Sequence, residues 1–259
     1  MRPIQRRQQG LQYGIYLLCM QALNYGIDKI PPATLITIIA QVLLYVGLIK
    51  VPWNAEEVCI SAIKVFKYRD WNSFLISNFE HGSDMHLYYN MVSLILKGSY
   101  LEPMYGTINF VILLAILSFG CSTMYAGLGY ALMQLTGDYG YYTQCAIGFS
   151  AILFALKVIV VCEEYDRIQD VGGFRVSSKI AVWVELILIH LLVPQSSFIG
   201  HLGGILVGCL YCYTFIGEIV DNMIYAITGT PIIHEEQFYR RRSSLFRSHP
   251  KLRSKDYNK

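Results

Sequence analysis

Gly148-Phe149-Ser150-Ala151 and His201-Leu202-Gly203-Gly204-Ile205-Leu206-Val207-Gly208 decide the reading of this 259-residue chain. Each stretch lies inside an apolar run long enough to cross a bilayer, for which about 20 residues are needed. A serine and a histidine are therefore expected on two separate membrane helices. Ionisable groups inside a membrane are costly, so an intramembrane histidine points to function. The composition agrees with a membrane setting: 54% of residues are hydrophobic and 15% charged. Mean hydropathy is +0.40, which is too apolar for an ordinary soluble domain. The expected fold class is all-α, a polytopic membrane protein with one bundled domain.

Outward from these two stretches, six apolar segments read as spans: Pro32–Leu48, about His86–Tyr105, about Ile108–Met133, about Ala146–Cys162, about Lys179–Val193 and about Phe198–Ile219. Pro31-Pro32 suits a helix start, because the first turn needs no N–H. The expected divisions are an amino-terminal segment over 1–30, a six-helix membrane domain over 31–220 and a basic tail over 221–259. Gly10–Ile27 is only mildly apolar, interrupted by Gln12, Gln21 and Asn24; an interfacial helix is the preferred reading. Arg2, Arg6 and Arg7 precede the first span, and Arg240, Arg241 and Arg242 follow the last. Lys/Arg excess marks the cytoplasmic side, so both termini are expected there.

From His234 to Lys259 there are eight Lys/Arg against three Asp/Glu. That stretch reads as a solvated cytoplasmic flank rather than a nucleic-acid site or a packed segment. Of the seven cysteines, Cys121, Cys162, Cys209 and Cys212 sit in or beside apolar runs as small hydrophobes. Cys59 and Cys145 fall in loops on one side and can form a disulfide if that side is oxidising. No metal-ligand spacing is present, and neither metal nor organic cofactor is expected.

The topology brings polar residues from three helices to one depth: His86 and Asn90 at the start of the second span, Ser150 at the start of the fourth, His201 early in the sixth. A serine hydroxyl needs a neighbouring base to take its proton, and a neutral imidazole can accept that proton and return it to a leaving amine. No acid is placed to orient His201, so a dyad is expected rather than a triad. His86 and Asn90, four residues apart, share a helical face and can donate to an oxyanion together with the backbone N–H of Ser150. Gly204 and Gly208 form a G-x-x-x-G pair that lets helix backbones approach closely. Gly148 fits a chain reversal before the fourth span. Glu185 and Lys157, within spans, snorkel, pair or line a cavity and take no catalytic role. His190 reads as interfacial and His81 as a loop residue.

These residues resemble the rhomboid intramembrane serine proteases. The family pattern of G-x-S-G, a later H-x-x-G-x-x-x-G and H-x-x-x-N on the second span is matched by Gly148…Ser150, His201…Gly204…Gly208 and His86…Asn90. Its E-x-x-x-G is matched by Glu102 and Gly106. The resemblance implies a six-helix rhomboid bundle, with Ser150 as nucleophile and His201 as base. His86 and Asn90 would form the oxyanion site, and Phe154 would pack on the base. It implies transmembrane protein substrates in the lipid bilayer. Ile30–Leu35, Trp183–Leu186 and Gly148–Lys157 are similar to the endoplasmic-reticulum branch, linked to degradation of unstable or ubiquitinated membrane proteins. For that branch, Arg240–Arg247 would be a remnant ATPase-binding site or, preferably, a topogenic flank. The chain departs from the pattern at Ala151, where a glycine is usual, and at Asn72, where Trp71 is usually followed by arginine. A silent relative that binds clients without cutting them is the rival reading; such relatives typically lack the serine or the histidine.

Overall fold

The computed structural model describes residues 13–54, 57–164, 168–171, 174–193, 196–235 and 238–239. The helices are α1 (Tyr13–Tyr25), α2 (Pro32–Tyr45), α3 (Ala62–Phe66), α4 (Trp71–Ile76), α5 (Asp84–Tyr105), α6 (Thr107–Thr136), α7 (Gly140–Thr143), α8 (Ser150–Glu163), α9 (Ser178–Leu192), α10 (Phe198–Tyr213) and α11 (Phe215–Thr228). Strands β1 (Ile168–Val171) and β2 (Phe174–Ser177) pair antiparallel, with Ile168 opposite Ser177, in the connection between α8 and α9. This small hairpin is an addition to the helical bundle that apolar patterning did not foresee.

All six expected spans are helices, α2, α5, α6, α8, α9 and α10. Among the described residues, only α6, at 30 residues, is both long and apolar enough to cross a bilayer by itself. At 14 to 16 residues, α2, α8, α9 and α10 need their flanks to complete a crossing. The bundle exposes large apolar side chains, among them Ile36, Leu96, Ile108, Phe119, Ile187 and Leu191. An apolar girdle of that extent suits a lipid surrounding.

The core forms where α8 is sheathed by its neighbours. Ile152, Ala155, Leu156 and Ile159 of α8 are fully buried with Leu87, Met91 and Leu94 of α5 and Phe110 and Leu113 of α6. Glycines permit the tightest approach. A Cβ at Gly204 would lie 2.0 Å from the Ala151 carbonyl oxygen, and one at Gly208 2.7 Å from Val158 Cβ. The α10 backbone therefore rests directly on that of α8.

Glu102 fixes the start of α2. Its Oε1 accepts from Ala33 N–H at 2.8 Å, and its Oε2 from Thr34 N–H and the Thr34 hydroxyl, each at 2.8 Å. These are two of the helix's otherwise orphan donors, satisfied by a buried carboxylate. Gly106 carries φ +85 in the sharp connection from α5 to α6, a backbone region that favours glycine.

Three expectations are corrected. Helix α1 does not lie apart as an interfacial segment. Gly14 meets the α5 backbone, donating its N–H to Asp84 Oδ2 at 2.8 Å, and a Cβ there would lie 2.3 Å from the Asp84 carbonyl oxygen. The chain then reaches Glu102 by Ala33, about 27 Å along α5 at 1.5 Å per residue. Helix α1 thus runs beside α5 in the same direction. The sixth span stops at Tyr213 instead of Ile219: the chain bends 79° at Thr214 into α11. There the Thr214 hydroxyl donates to the Leu210 carbonyl and accepts from Ile216 N–H, closing one helix and capping the next. Finally, the segment after α11 is not wholly solvated, because His234 and Phe238 are buried. Residues 240–259, including Arg240–Arg247, lie outside the described residues, as do Arg2, Arg6 and Arg7.

Candidate active site

Gly148 turns the chain into α8 with φ +120, and its N–H donates to the Ser77 carbonyl at 2.9 Å. This leaves Ser150 as the first residue of α8, its backbone N–H among the unpaired donors of a helix start. Helix α10 begins at a Ser197 cap, whose hydroxyl accepts from Gly200 N–H at 3.1 Å, and carries His201 in its first turns. Because Gly204 and Gly208 seat α10 on α8, the two side chains meet: His201 Nε2 lies 2.9 Å from Ser150 Oγ. The His201 ring packs on Phe154, centroids 4.8 Å apart and planes 33° from parallel. His201 is 4% exposed, and its Nδ1 meets no protein partner. The pair is a dyad among the described residues.

Helix α5 supplies the opposite wall. A Cβ on Gly148 would sit 2.6 Å from His86 Cε1, 2.7 Å from His86 Nε2 and 3.6 Å from Asn90 Nδ2. Only a glycine lets these polar edges come so close to the turn that precedes Ser150. Asn90 is buried, and its Nδ2 donor has no protein acceptor. A buried amide left unpaired is costly, about 1–3 kcal/mol, so such a donor beside the Gly148 turn is a functional signal. The cavity holds about 420 Å³ and is lined by His86, Gly148, Ser150 and His201, with Ser77 and Ser196.

One further residue escaped sequence reasoning. His81, taken as an ordinary loop residue, is 4% exposed, and its ring stands edge-on to His86 at 5.0 Å. Burial, then the neighbouring His86, hold its imidazole well below the ordinary histidine value, so it stays neutral. A loop histidine has no periodic pattern to announce it. The loop is pinned by Asn78, whose amide donates to Ser118 Oγ and Ser122 Oγ of α6, each at 2.9 Å. A Cys59–Cys145 disulfide, with Cα atoms 5.5 Å apart, joins the loop to the chain before α8. The Ile60–Ala146 bridge aligns the two segments beside it. Trp71 opens α4 and is exposed. Glu185 is paired with Lys97 at 3.5 Å and Lys157 at 3.7 Å, away from the dyad. His190 stands against Phe198. No group of three or more metal-ligating side chains occurs among the described residues.

A helical bundle with a serine–histidine pair inside apolar helices defines the class: a polytopic membrane protein of serine-hydrolase geometry. The sequence comparisons place it further. The rhomboid domain family matches residues 68–218. Rhomboid-related protein 4 of Mus musculus is 37% identical over 220 residues, 85% of this chain and 69% of that protein. Its Homo sapiens counterpart is 36% identical over 236 residues, covering 91% and 74%. Rhomboid-like protein 14, mitochondrial, of Arabidopsis thaliana is 36% identical over 212 residues, covering 80% and 63%. No solved structure matches the chain significantly. The chain belongs to the rhomboid family and is an integral membrane protein.

Proposed function

We propose that the protein is an intramembrane serine endopeptidase that cleaves transmembrane or membrane-proximal segments of other membrane proteins. The observation that carries this reading is the 2.9 Å contact between His201 Nε2 and Ser150 Oγ beside an unpaired Asn90 donor. His201 takes the Ser150 proton as Oγ attacks the scissile carbonyl carbon. The resulting oxyanion is held by Asn90 Nδ2, His86 and the Ser150 N–H. Collapse breaks the C–N bond, and His201 protonates the departing amine. Water, deprotonated by His201, then hydrolyses the acyl-serine. Phe154 packs on the imidazole and restrains its orientation, a role that Asp fills in triads. The substrate helix must open locally, because its carbonyls are otherwise held in helical hydrogen bonds.

The proposed setting is the endoplasmic-reticulum membrane, with the carboxyl end cytoplasmic and the Ser150 end lumenal. The Cys59–Cys145 disulfide at that end favours an oxidising compartment. Branch resemblance supports a role in removing unstable membrane proteins, with degradation machinery reached through the basic tail. With the Ser150 end lumenal, the start of α1 level with Asp84 supports a lumenal Tyr13 rather than the cytoplasmic one expected from charge. A cysteine introduced at Tyr13 should be labelled from the same side as one at Asn54.

The test of the activity is cleavage of a transmembrane substrate by purified protein in detergent. Cleavage that Ser150→Ala abolishes supports the enzyme. Equal cleavage by Ser150→Ala removes it and leaves the client-binding reading.

A further inference from the structure

The Glu163 end of the bundle holds a second buried polar cluster, outside the active site. His234, beyond α11, lies between two carboxylates: Nδ1 is 2.5 Å from Glu163 Oε1 and Nε2 is 3.1 Å from Asp221 Oδ2. Tyr105 donates its hydroxyl to Glu163 Oε1 at 2.6 Å, and Tyr211 donates to Asp221 Oδ1 at 2.6 Å. Glu235 N–H donates to Glu163 Oε2 at 3.0 Å. Phe238 stacks on the imidazole at 3.9 Å, nearly parallel. Glu163, Tyr105, Tyr211, His234 and Phe238 are all buried.

The cluster joins four helices and the following chain: Tyr105 ends α5, Glu163 ends α8, Tyr211 is near the end of α10, and Asp221 is in α11. Two of these, α8 and α10, carry Ser150 and His201 thirteen and ten residues away. With Glu163 and Asp221 ionised, the geometry calls for a protonated His234. Ionised carboxylates only accept, and the Glu163 oxygens already accept from Tyr105 and Glu235. An imidazole with a carboxylate oxygen on each nitrogen must donate from both, which only the protonated ring can do. The neutral ring would leave one nitrogen lone pair facing an oxygen lone pair.

We propose that this cluster is a proton-dependent latch. Protonated His234 docks the segment after α11 onto the ends of α5, α8 and α10, and loss of its proton to solvent releases that segment. Docking also holds α8 against α10, so the latch adjusts the reactivity of the dyad; that second clause rests on the proposed protease activity. The groups facing His234 among the described residues are Glu163, Asp221, Tyr105 and Tyr211, with Glu235 and Tyr239 on its own segment. Burial opposes charge on the ring, but the hydrogen bonds and charges of Asp221 and Glu163 outweigh it and raise its affinity for the proton. The latch is therefore closed near the ordinary histidine value and opens as pH rises through the raised value of His234.

The test is hydrogen exchange of residues 230–239 in the full chain in detergent, from pH 6 to 9 and corrected for intrinsic exchange. Wild type should lose protection by roughly tenfold or more as pH rises, as expected of local opening. His234→Gln should be unprotected and insensitive to pH. Protection that stays constant from pH 6 to 9, or His234→Gln as protected as wild type, overturns the latch. If His234→Gln does not fold, Tyr211→Phe removes only the hydroxyl on Asp221. Its release should shift along the pH axis, because the charge that Asp221 presents to His234 changes, and an unshifted profile overturns the latch. The second clause is read by the rate at which a fluorophosphonate labels Ser150, which should change in step with protection. Labelling that ignores release overturns the coupling. Absence of labelling under every condition overturns the protease reading, while the exchange profile still decides the latch.

Discussion

The two ends of the bundle treat buried polar atoms in opposite ways. At the Glu163 end, His234 bridges Glu163 and Asp221, and two tyrosines join the network. At the Ser150 end, Asn90 Nδ2, His201 Nδ1, both nitrogens of His81 and the hydroxyls of Ser77 and Ser196 meet no protein partner. Only Gln41 and Ser99 share that condition elsewhere among the described residues. Unpaired buried groups cost about 1–3 kcal/mol each, and folds retain them where they serve chemistry. One end uses its polar groups for cohesion; under the proposed activity the other keeps them available for a reacting carbonyl.

The contrast breaks most completely through the helix contact that assembles the dyad. Gly204→Val would force side-chain atoms into the Ala151 carbonyl, already 2.0 Å from a bare Cβ. Cleavage should fall to the background of Ser150→Ala, and overpacking should lower stability by about 1–3 kcal/mol in thermal unfolding. Gly204→Val with wild-type kcat would show that the helices need no such approach. Removing one proposed oxyanion donor is the next largest effect. Asn90→Ala should reduce kcat by about 10²–10³-fold with little loss of stability, since its amide has no protein partner to abandon. A stability loss without a kcat loss would make Asn90 structural.

Cohesion at the Ser150 end depends on the Cys59–Cys145 link across 86 residues. Cys145→Ala should cost about 2–5 kcal/mol of unfolding free energy, seen as a lower midpoint that reductant no longer changes. At the other end the expected effect is smaller and depends on pH. The folded pKa of His234 is raised, so its contribution is fully present below the unfolded value near 6.5 and is lost as pH rises through the folded pKa. The stability difference between wild type and His234→Gln should therefore be largest near pH 6 and shrink toward pH 9. A difference that grows with pH would reverse the assignment.

How far the sequence discloses each end follows from the same physics. The dyad is legible because hydropathy places Ser150 and His201 in spans, and alternating span direction puts them at one depth. His86 and Asn90 follow from four-residue spacing on one helix. The His234 cluster is not legible, since Glu163 and Asp221 lie 71 and 13 residues away and the surrounding tail reads as solvated. The bend at Thr214 hides because apolarity continues through Phe215–Ile219. The course of α1 hides for a different reason: the arginines before it favour the opposite side, while Gly14 allows a backbone contact with α5 that charge counting does not register. Cys59 and Cys145 were candidates by side alone, and the Ile60–Ala146 pairing that aligns them appears only in three dimensions.

The central claim is that Ser150 is a nucleophile activated by His201. Its most direct measurement is the time course of fluorophosphonate labelling of the purified protein, with the modified peptide located by mass spectrometry. One label on Ser150, absent in Ser150→Ala and strongly slowed in His201→Ala, is the predicted result. Labelling of another residue, or an unchanged rate in His201→Ala, would contradict it.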